Sequence, residues 1–347
     1  GFVVRGKNGK LVPVTSNVRR TKALWNIASE QGVTVGFLSW WVTWPAERVR
    51  GFMCSDYTWP LKKSGLGFAT GVDPNQERHY RTYPPELVEQ LDRFVKVESR
   101  VSPRELNALG ISAIPKVKGY AVRDILLKDI SVGSMSSYLL QQFHPSLYAV
   151  YFDGFDAYCH LFWPEYKRYL SARRRGSAAL AALPAGHRKL GAALDAHLTR
   201  LDTYLGEVMD HAGPKDVVMV ISDHGYGDNP GHAPILRTYG ESINPPHWHT
   251  LDGFIAIAGG SVVRGAAISD ATIRDVTPTV LALLGLPVAR DMDGKVLTNL
   301  LTKEFLAAHP VQFIDSYETG PRGGAPIESR YDEEIVDRLR SLGYVGD

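Results

Sequence analysis

Cysteine is scarce in this chain: two residues, Cys54 and Cys159, among 347. They could pair with each other, but they build no disulfide framework, and their spacing matches no thiolate zinc or redox pattern. An excess of one charge is also missing, since 39 Lys and Arg face 37 Asp and Glu for a formal net charge of +2. Nothing global therefore recommends nucleic acid or an anionic membrane as a partner, and no nucleic-acid binding is expected. The run Arg173, Arg174, Arg175 reads as a solvated helix face rather than a phosphate-binding patch. No apolar stretch approaches the roughly 20 residues needed to cross a bilayer, and no internal repeat is found. An initiating Met is absent too. The chain opens "GFVVRGKNGK", already strand-like at Gly1, so a fragment or a processed chain is expected. The missing leader peptide then says nothing about compartment.

What is present is ordinary globular material, 44% hydrophobic and 22% charged, long enough for a large core. Helical and strand signals alternate. Thr15, Ser16 and Asn17 read as N-cap residues of a helix that carries Ala23, Leu24 and Ile27 at helical spacing and stops at Gly32. "VTVGFLSW" follows as a buried strand. Residues 56–120 read as a loop-rich excursion with short helices near 86–98 and 103–109. "VRDILLKDISVGSMSSYLLQQF" is a helix and "SLYAVYF" a strand. A long helical stretch over 164–212 is broken near Pro184 and Gly186, and "DVVMVIS" and "GFIAIAGG" are further strands. "TIRDVTPTVLALLG" is a helix with Pro278 early and Gly285 at its end, and the tail "YDEEIVDRLRSLGYVGD" is a short amphipathic helix. Strands separated by helices argue for a parallel-rich sheet covered on both faces.

In such sheets ligands gather beyond the carboxyl ends of the strands. "SLYAVYF" runs into "DGFDAYCHLFWP", where Asp156 and His160 share one face if the chain turns helical. "VVMVIS" runs into Asp223 and His224, and His249 lies just before another strand. Alone, an Asp at a strand end is most often a helix cap, and a His beside apolar residues is most often a hydrogen-bonded structural residue. Together, five nitrogen and oxygen donors in three segments, with no thiolate among them, suit a catalytic zinc or a harder divalent ion. Because His249 precedes its strand, that strand must run antiparallel to those ending near 152 and 222 for the donors to meet. Asp153 reads as a loop carboxylate, His247 as a competitor of His249, and His232 as a weaker substrate-orienting candidate. His144, His187, His197 and His211 read as surface or helix residues. Trp40, Trp41, Trp44 and Tyr57 could stack on a nucleotide base, with core and rim packing the simpler reading.

"FDAYCHLFW", "VVMVISDHGYG", "HWHTLDGFIAIAGG" and "DVTPTVLALLGLPVARDMDGKVL" occur in the order expected of the alkaline phosphatase superfamily. They most resemble its type I phosphodiesterase/nucleotide pyrophosphatase branch, as do "TSNVRRTKALWNIASEQGVTVGFLSWWVTWPAE" and "RLRSLGYVGD". The resemblance implies an alkaline phosphatase-like fold, a three-layer α/β/α sandwich with a mostly parallel central sheet. It implies one catalytic domain over 1–347, with 50–125 as a partial cap within it. It further implies two divalent metal ions, zinc being expected, one held by Asp156, His160 and His249 and the other by Asp223 and His224. The implied substrate is a small phosphate ester or nucleotide, the chemistry phosphoryl transfer through a covalent Thr or Ser intermediate.

The family's nucleophile, and a further ligand Asp after its first strand, have no counterpart in this sequence. Thr15 and Ser16 fit caps better, Thr43 is weaker still, and no nucleophile is assigned. The isolated chain is therefore expected to hydrolyse little or nothing. A sulfatase of the same superfamily would need a C/S-x-P-x-R setting, which neither "MCSDYTW" nor "AYCHLF" supplies but a part preceding Gly1 could hold, so it stays an alternative. The same donors would also fit a phosphomutase or a catalytically silent metal-binding module.

Overall fold

The computed structural model describes residues 3–6, 9–58, 79–117, 122–227, 249–268, 270–327, 332–341 and 345. His232, His247 and residues 59–78 and 118–121 of the expected cap lie outside the described residues. In chain order the main elements are β1 (Val3–Arg5), β2 (Leu11–Pro13), α1 (Leu24–Glu30), β3 (Val35–Trp40), β4 (Gly51–Ser55) and β5 (Thr82–Tyr83). Then follow α2 (Leu87–Leu91), α3 (Pro103–Ala108), α4 (Val122–Phe143), β6 (Leu147–Val150), α5 (Gly154–Arg175), α6 (Ser177–Ala182) and α7 (Ala185–Asp210). The last part holds β7 (Val217–Ser222), β8 (Gly225–Tyr226), β9 (His249–Thr250), β10 (Phe254–Gly259), α8 (Val276–Leu283), β11 (Val288–Ala289), α9 (Lys303–Ala308), β12 (Phe313–Ile314) and α10 (Asp332–Ser341).

β3 sits inside a four-stranded sheet of order β5-β4-β3-β6. It pairs in parallel with both β4 and β6, and β5 closes the sheet antiparallel to β4. The period-2 alternation of a strand sends its side chains to opposite faces, and here both faces are apolar. Leu38, Phe52 and Cys54 pack against Val132, Met135 and Leu139 of α4. Phe37 and Met53 face the other way, onto Trp25 and Ala28 of α1. This mixed sheet with helices on both faces is the α/β architecture that the alternation of segments implied.

The remainder of the expected central sheet is organised differently. β7 pairs with β10, antiparallel, with Ser222 opposite Phe254, and among the described residues no strand pairing joins this ribbon to β6. Gly253 lets the two strands close at their junction, since a Cβ there would stand 2.0 Å from the Ser222 carbonyl oxygen. The antiparallel direction expected for the strand after His249 holds for β7, so the start of β10 lies at the carboxyl end of β7.

Several local boundaries differ from the sequence reading. Thr15–Asn17 do not cap a long helix: Ser16–Val18 is a separate 3-10 turn. The α-helix begins only at Leu24, where Asn26 Oδ1 accepts the Ala23 N–H at 2.9 Å. An Asn side chain inside the first turn did the capping that Ser and Thr upstream were expected to do. The segment read as a helix over 86–98 is α2 followed by 3-10 turns. The long helical stretch starts at Gly154 instead of 164, and breaks at Gly176 (φ +104°) before Pro184. Pro164 lies inside α5, and Phe162 (φ −129°) carries the kink that a proline imposes by removing a hydrogen bond and crowding the carbonyl of residue i−4, here His160.

Candidate metal centre

The first turns of α5 put Asp156 and His160 on one face, as their four-residue spacing predicts. His160 Nε2 lies 3.5 Å from Asp156 Oδ1. His249 Nε2 completes a triangle, at 3.1 Å from Asp156 Oδ1 and 3.1 Å from His160 Nε2. Donors bound to one zinc at 2.0–2.2 Å in a tetrahedron stand about 3.3 Å from each other. The three side chains therefore fit a single tetrahedral ion, and the donor set, two imidazoles and one carboxylate, suits zinc.

His224 joins the cluster from the end of β7. Its ring stacks on that of His249 with centroids 3.7 Å apart, and its Nε2 lies 3.6 Å from Asp156 Oδ1. Potential ligand atoms of Asp156, His224 and His249 all lie within 4.8 Å of one another. Asp223 is set apart: its carboxylate is 3.8 Å from His224 Nε2 and its side chain is 68% exposed. Four of the five candidate ligands are thus brought together, and the fifth stands at the rim.

Asp156 is surrounded by donors. Burial alone would raise its pKa, but hydrogen bonds from His160 and His249, the charge of His160 and the hydrogen bond from Tyr226 hold it well below the usual carboxylate range. A carboxylate so held stays ionised and ready to bind a cation.

The support under this face was not legible as function. Asp129, fully buried on α4, accepts hydrogen bonds from the Asp153 N–H at 3.2 Å and the Gly154 N–H at 3.0 Å, the first donors of α5. The same carboxylate lies 3.0 Å from His197 Nε2, contributed by α7. Beside it, Lys128 Nζ pairs with Asp153 Oδ2 at 3.1 Å, both side chains 3% exposed. Gly154 is required by this closeness, because a Cβ there would stand 2.3 Å from Asp129 Oδ2. Burial pushes the Asp129 carboxyl up from its ordinary value, against the pull of His197.

Asp153 is therefore a buried, ion-paired residue at the start of α5, not a loop carboxylate, and His197, read as a surface or helix residue, is a helix residue that is buried. The signals existed. Lys128 and Asp129 stand side by side among the apolar buried residues Leu126, Leu127 and Ile130 of α4, and His197 continues the buried stripe of Leu190, Ala193 and Leu194.

The hydroxyls considered as nucleophiles are engaged in other hydrogen bonds. Thr15 Oγ1 donates to Asn17 Oδ1 at 2.7 Å, Ser16 Oγ to the Pro45 carbonyl at 2.6 Å, and Thr43 Oγ1 to the Trp40 carbonyl. All three residues are buried. Trp44 and Tyr57 stack on each other in the interior, with centroids 4.7 Å apart, so their rings are core packing. Trp40 and Trp41 pack edge-on against Tyr151. Cys54 and Cys159 are free and buried.

Comparison with known proteins now bears on the reading. Residues 2–264 match the family described as type I phosphodiesterase / nucleotide pyrophosphatase. The chain belongs to this family. All five candidate ligands lie within the matched span. A 2,3-bisphosphoglycerate-independent phosphoglycerate mutase of Bacteroides thetaiotaomicron is similar over 115 residues at 27% identity, covering 32% of this chain. The match spans 21% of that relative's own length. Both descriptions, from the alkaline phosphatase superfamily, point to phosphoryl transfer of hydrolase or mutase type. No solved structure matches. No helix among the described residues is long and apolar enough to cross a membrane.

Proposed function

We propose that the chain is the catalytic domain of a metal-dependent phosphoric ester hydrolase acting on a small phosphate ester or nucleotide, as a phosphodiesterase or nucleotide pyrophosphatase. In this reading residues 1–347 form one three-layer α/β/α domain with a mostly parallel central sheet, and 50–125 cap the site in part. Asp156, His160 and His249 would hold one divalent ion, and Asp223 and His224 would contribute to a second, both zinc. Such ions polarise a phosphoryl oxygen and stabilise the charge developing on the leaving oxygen.

The observation that carries the reading is the triangle of Asp156, His160 and His249, with edges of 3.1–3.5 Å, in a chain of this family. The residues' own part is to present two imidazoles and an ionised carboxylate, and the buried Asp129 anchors the start of α5, which carries Asp156 and His160. Protons compete with a metal ion for the two imidazole nitrogens. The proposal names no covalent nucleophile, since the hydroxyls of Thr15, Ser16 and Thr43 are engaged in other hydrogen bonds.

Metal content and zinc-dependent binding of a nucleoside monophosphate test the proposal. The purified chain should retain zinc and bind AMP only when loaded; a chain that takes up no divalent metal would overturn it. A phosphomutase is the alternative that the Bacteroides relative favours. It is separated from the hydrolase by whether a phosphoryl group passes to water or to a second hydroxyl of the substrate.

A further inference from the structure

Beyond His160 the helix α5 runs on past the metal triangle, and its residues sort by side. Tyr166, Tyr169 and Ala172 are buried, and both tyrosine hydroxyls hydrogen-bond the Asp195 carboxylate of α7. Residues three and four apart share a helix face. Trp163, Lys167, Ser171 and Arg174 follow that spacing on another side, with Arg168 and Arg175 beside them. Among the described residues these six line a cavity of about 680 Å³, within the range of roughly 300–1,000 Å³ usual for small-molecule sites.

The basic run that ends α5 is divided by the fold. Arg173 turns to α7 and pairs with Asp195. Arg174 and Arg175 line the cavity with Lys167 and Arg168, and the described residues of its wall include no carboxylate. Such a one-signed wall attracts anions, and the planar guanidinium fork matches phosphate oxygens. Trp163 adds an independent sign. Its indole Nε1 is buried with no hydrogen-bond partner among the described residues, an orphan donor in the wall of a cavity suited to acceptors. The cavity also adjoins the metal triangle. The Trp163 ring lies 5.5 Å from that of Tyr226, whose hydroxyl contacts Asp156 and His249. Along a helix, Trp163 stands about 5 Å and Lys167 about 10 Å beyond His160.

We propose that this cavity is a subsite for a second phosphate of the substrate. One phosphoryl group occupies the centre formed by Asp156, His160 and His249, and another on the same molecule binds between Trp163 and the cations of α5. The substrate class is then a phosphate ester that carries a further phosphate, such as a nucleoside bisphosphate. The inference rests on the metal-dependent reading above, which supplies the first contact point.

The zinc-loaded full chain is titrated by calorimetry with AMP and with adenosine 3′,5′-bisphosphate, after the zinc content of each protein has been measured. The variants are Arg168→Gln/Arg174→Gln and, as a control on the same helix, Arg173→Gln. Arg168 and Arg174 are exposed, so the double variant is expected to fold. The wild type should bind the bisphosphate about tenfold or more tighter than AMP, since hydrogen bonds to charged groups are among the stronger ones. The double variant should lose that preference while keeping the AMP affinity and zinc content of the wild type, and Arg173→Gln should retain it. Equal affinities for the two nucleotides in the zinc-loaded wild type, or a preference that survives in the double variant, overturn the subsite and leave the metal centre standing. So does an equal loss from Arg173→Gln, which would mark a general attraction to the helix. A wild type that takes up no zinc overturns the metal-dependent reading and the subsite together.

Discussion

The two strand ends that meet at the cluster are built differently. Beyond β6, Asp156 and His160 ride on a helix whose first turn is anchored by buried charge: Asp129, Lys128, Asp153 and His197 are each at most 3% exposed. Beyond β7, Asp223 and His224 hang from a ribbon with half-buried strand residues, next to a Leu251 that is fully exposed and a Phe254 at 57%. Preorganisation of a metal site depends on what holds the ligands' backbone. One side of this centre brings its own support, and the other presents its ligands from a thin two-stranded element.

That contrast predicts a graded response to mutation. Removal of Asp129 should do the most damage, because Asp129→Ala strands His197 and two helix-start N–H groups in the interior. Breaking a buried pair of this kind costs about 3–5 kcal/mol, measurable as a shift of the urea midpoint. Asp129→Asn, which retains an acceptor, should lose less. Equal losses from Asp129→Ala and from a substitution on the β7 side such as Asp223→Ala would erase the distinction between the two ends.

Next comes the triangle itself. Asp156→Ala or His249→Ala should weaken zinc binding by more than the roughly 10–100-fold seen when an outer partner is lost, read by chelator competition, and Asp156→Ala should also destabilise the metal-free protein at neutral pH, because its lowered pKa makes the ionised carboxylate stabilising.

A carboxylate outside the cluster offers a calibration. Asp275 accepts the Thr272 and Lys295 N–H groups, each at 2.7 Å, at the start of α8. Burial would raise its pKa, but these hydrogen bonds lower it on balance. Its folded value therefore lies below the unfolded value of about 3.9. Its contribution is full above that pH and is lost as pH falls through the lower folded value. Asp275→Ala should cost about 1–2 kcal/mol at neutral pH, and the gap to wild type should close in acid denaturation.

The smallest effect is expected at the rim. Asp223→Ala should change the affinity of the first ion by less than about threefold, since its carboxylate is exposed and pairs with His224 at 3.8 Å, in line with the low worth of solvent-exposed charge pairs. A large loss at Asp223 would mean that the β7 side is as tightly organised as the β6 side.

Much of this centre was legible because ligand pairs adjacent in sequence obey local geometry. Asp156 and His160 at i, i+4 need only a helix, and the antiparallel direction of β10 follows from where His249 must arrive. Boundaries set by side-chain capping were less legible: Asn26, inside α1, outcompeted Thr15 and Ser16 upstream. The long-range partners were not legible. Asp129 and His197 are 68 positions apart and Tyr226 and Asp156 70, and no local period links such residues.

The sequence by itself determined the α/β alternation, the family and the donor types, since each is written in short-range pattern and order along the chain. Only the tertiary structure decided that, among the described residues, β7 pairs with β10 alone, that Asp223 faces solvent, and that a buried carboxylate on α4 and a tyrosine on β8 converge on the candidate ligands of α5. Those outcomes depend on which surfaces pack together, and packing is a property of the folded chain, not of any segment within it.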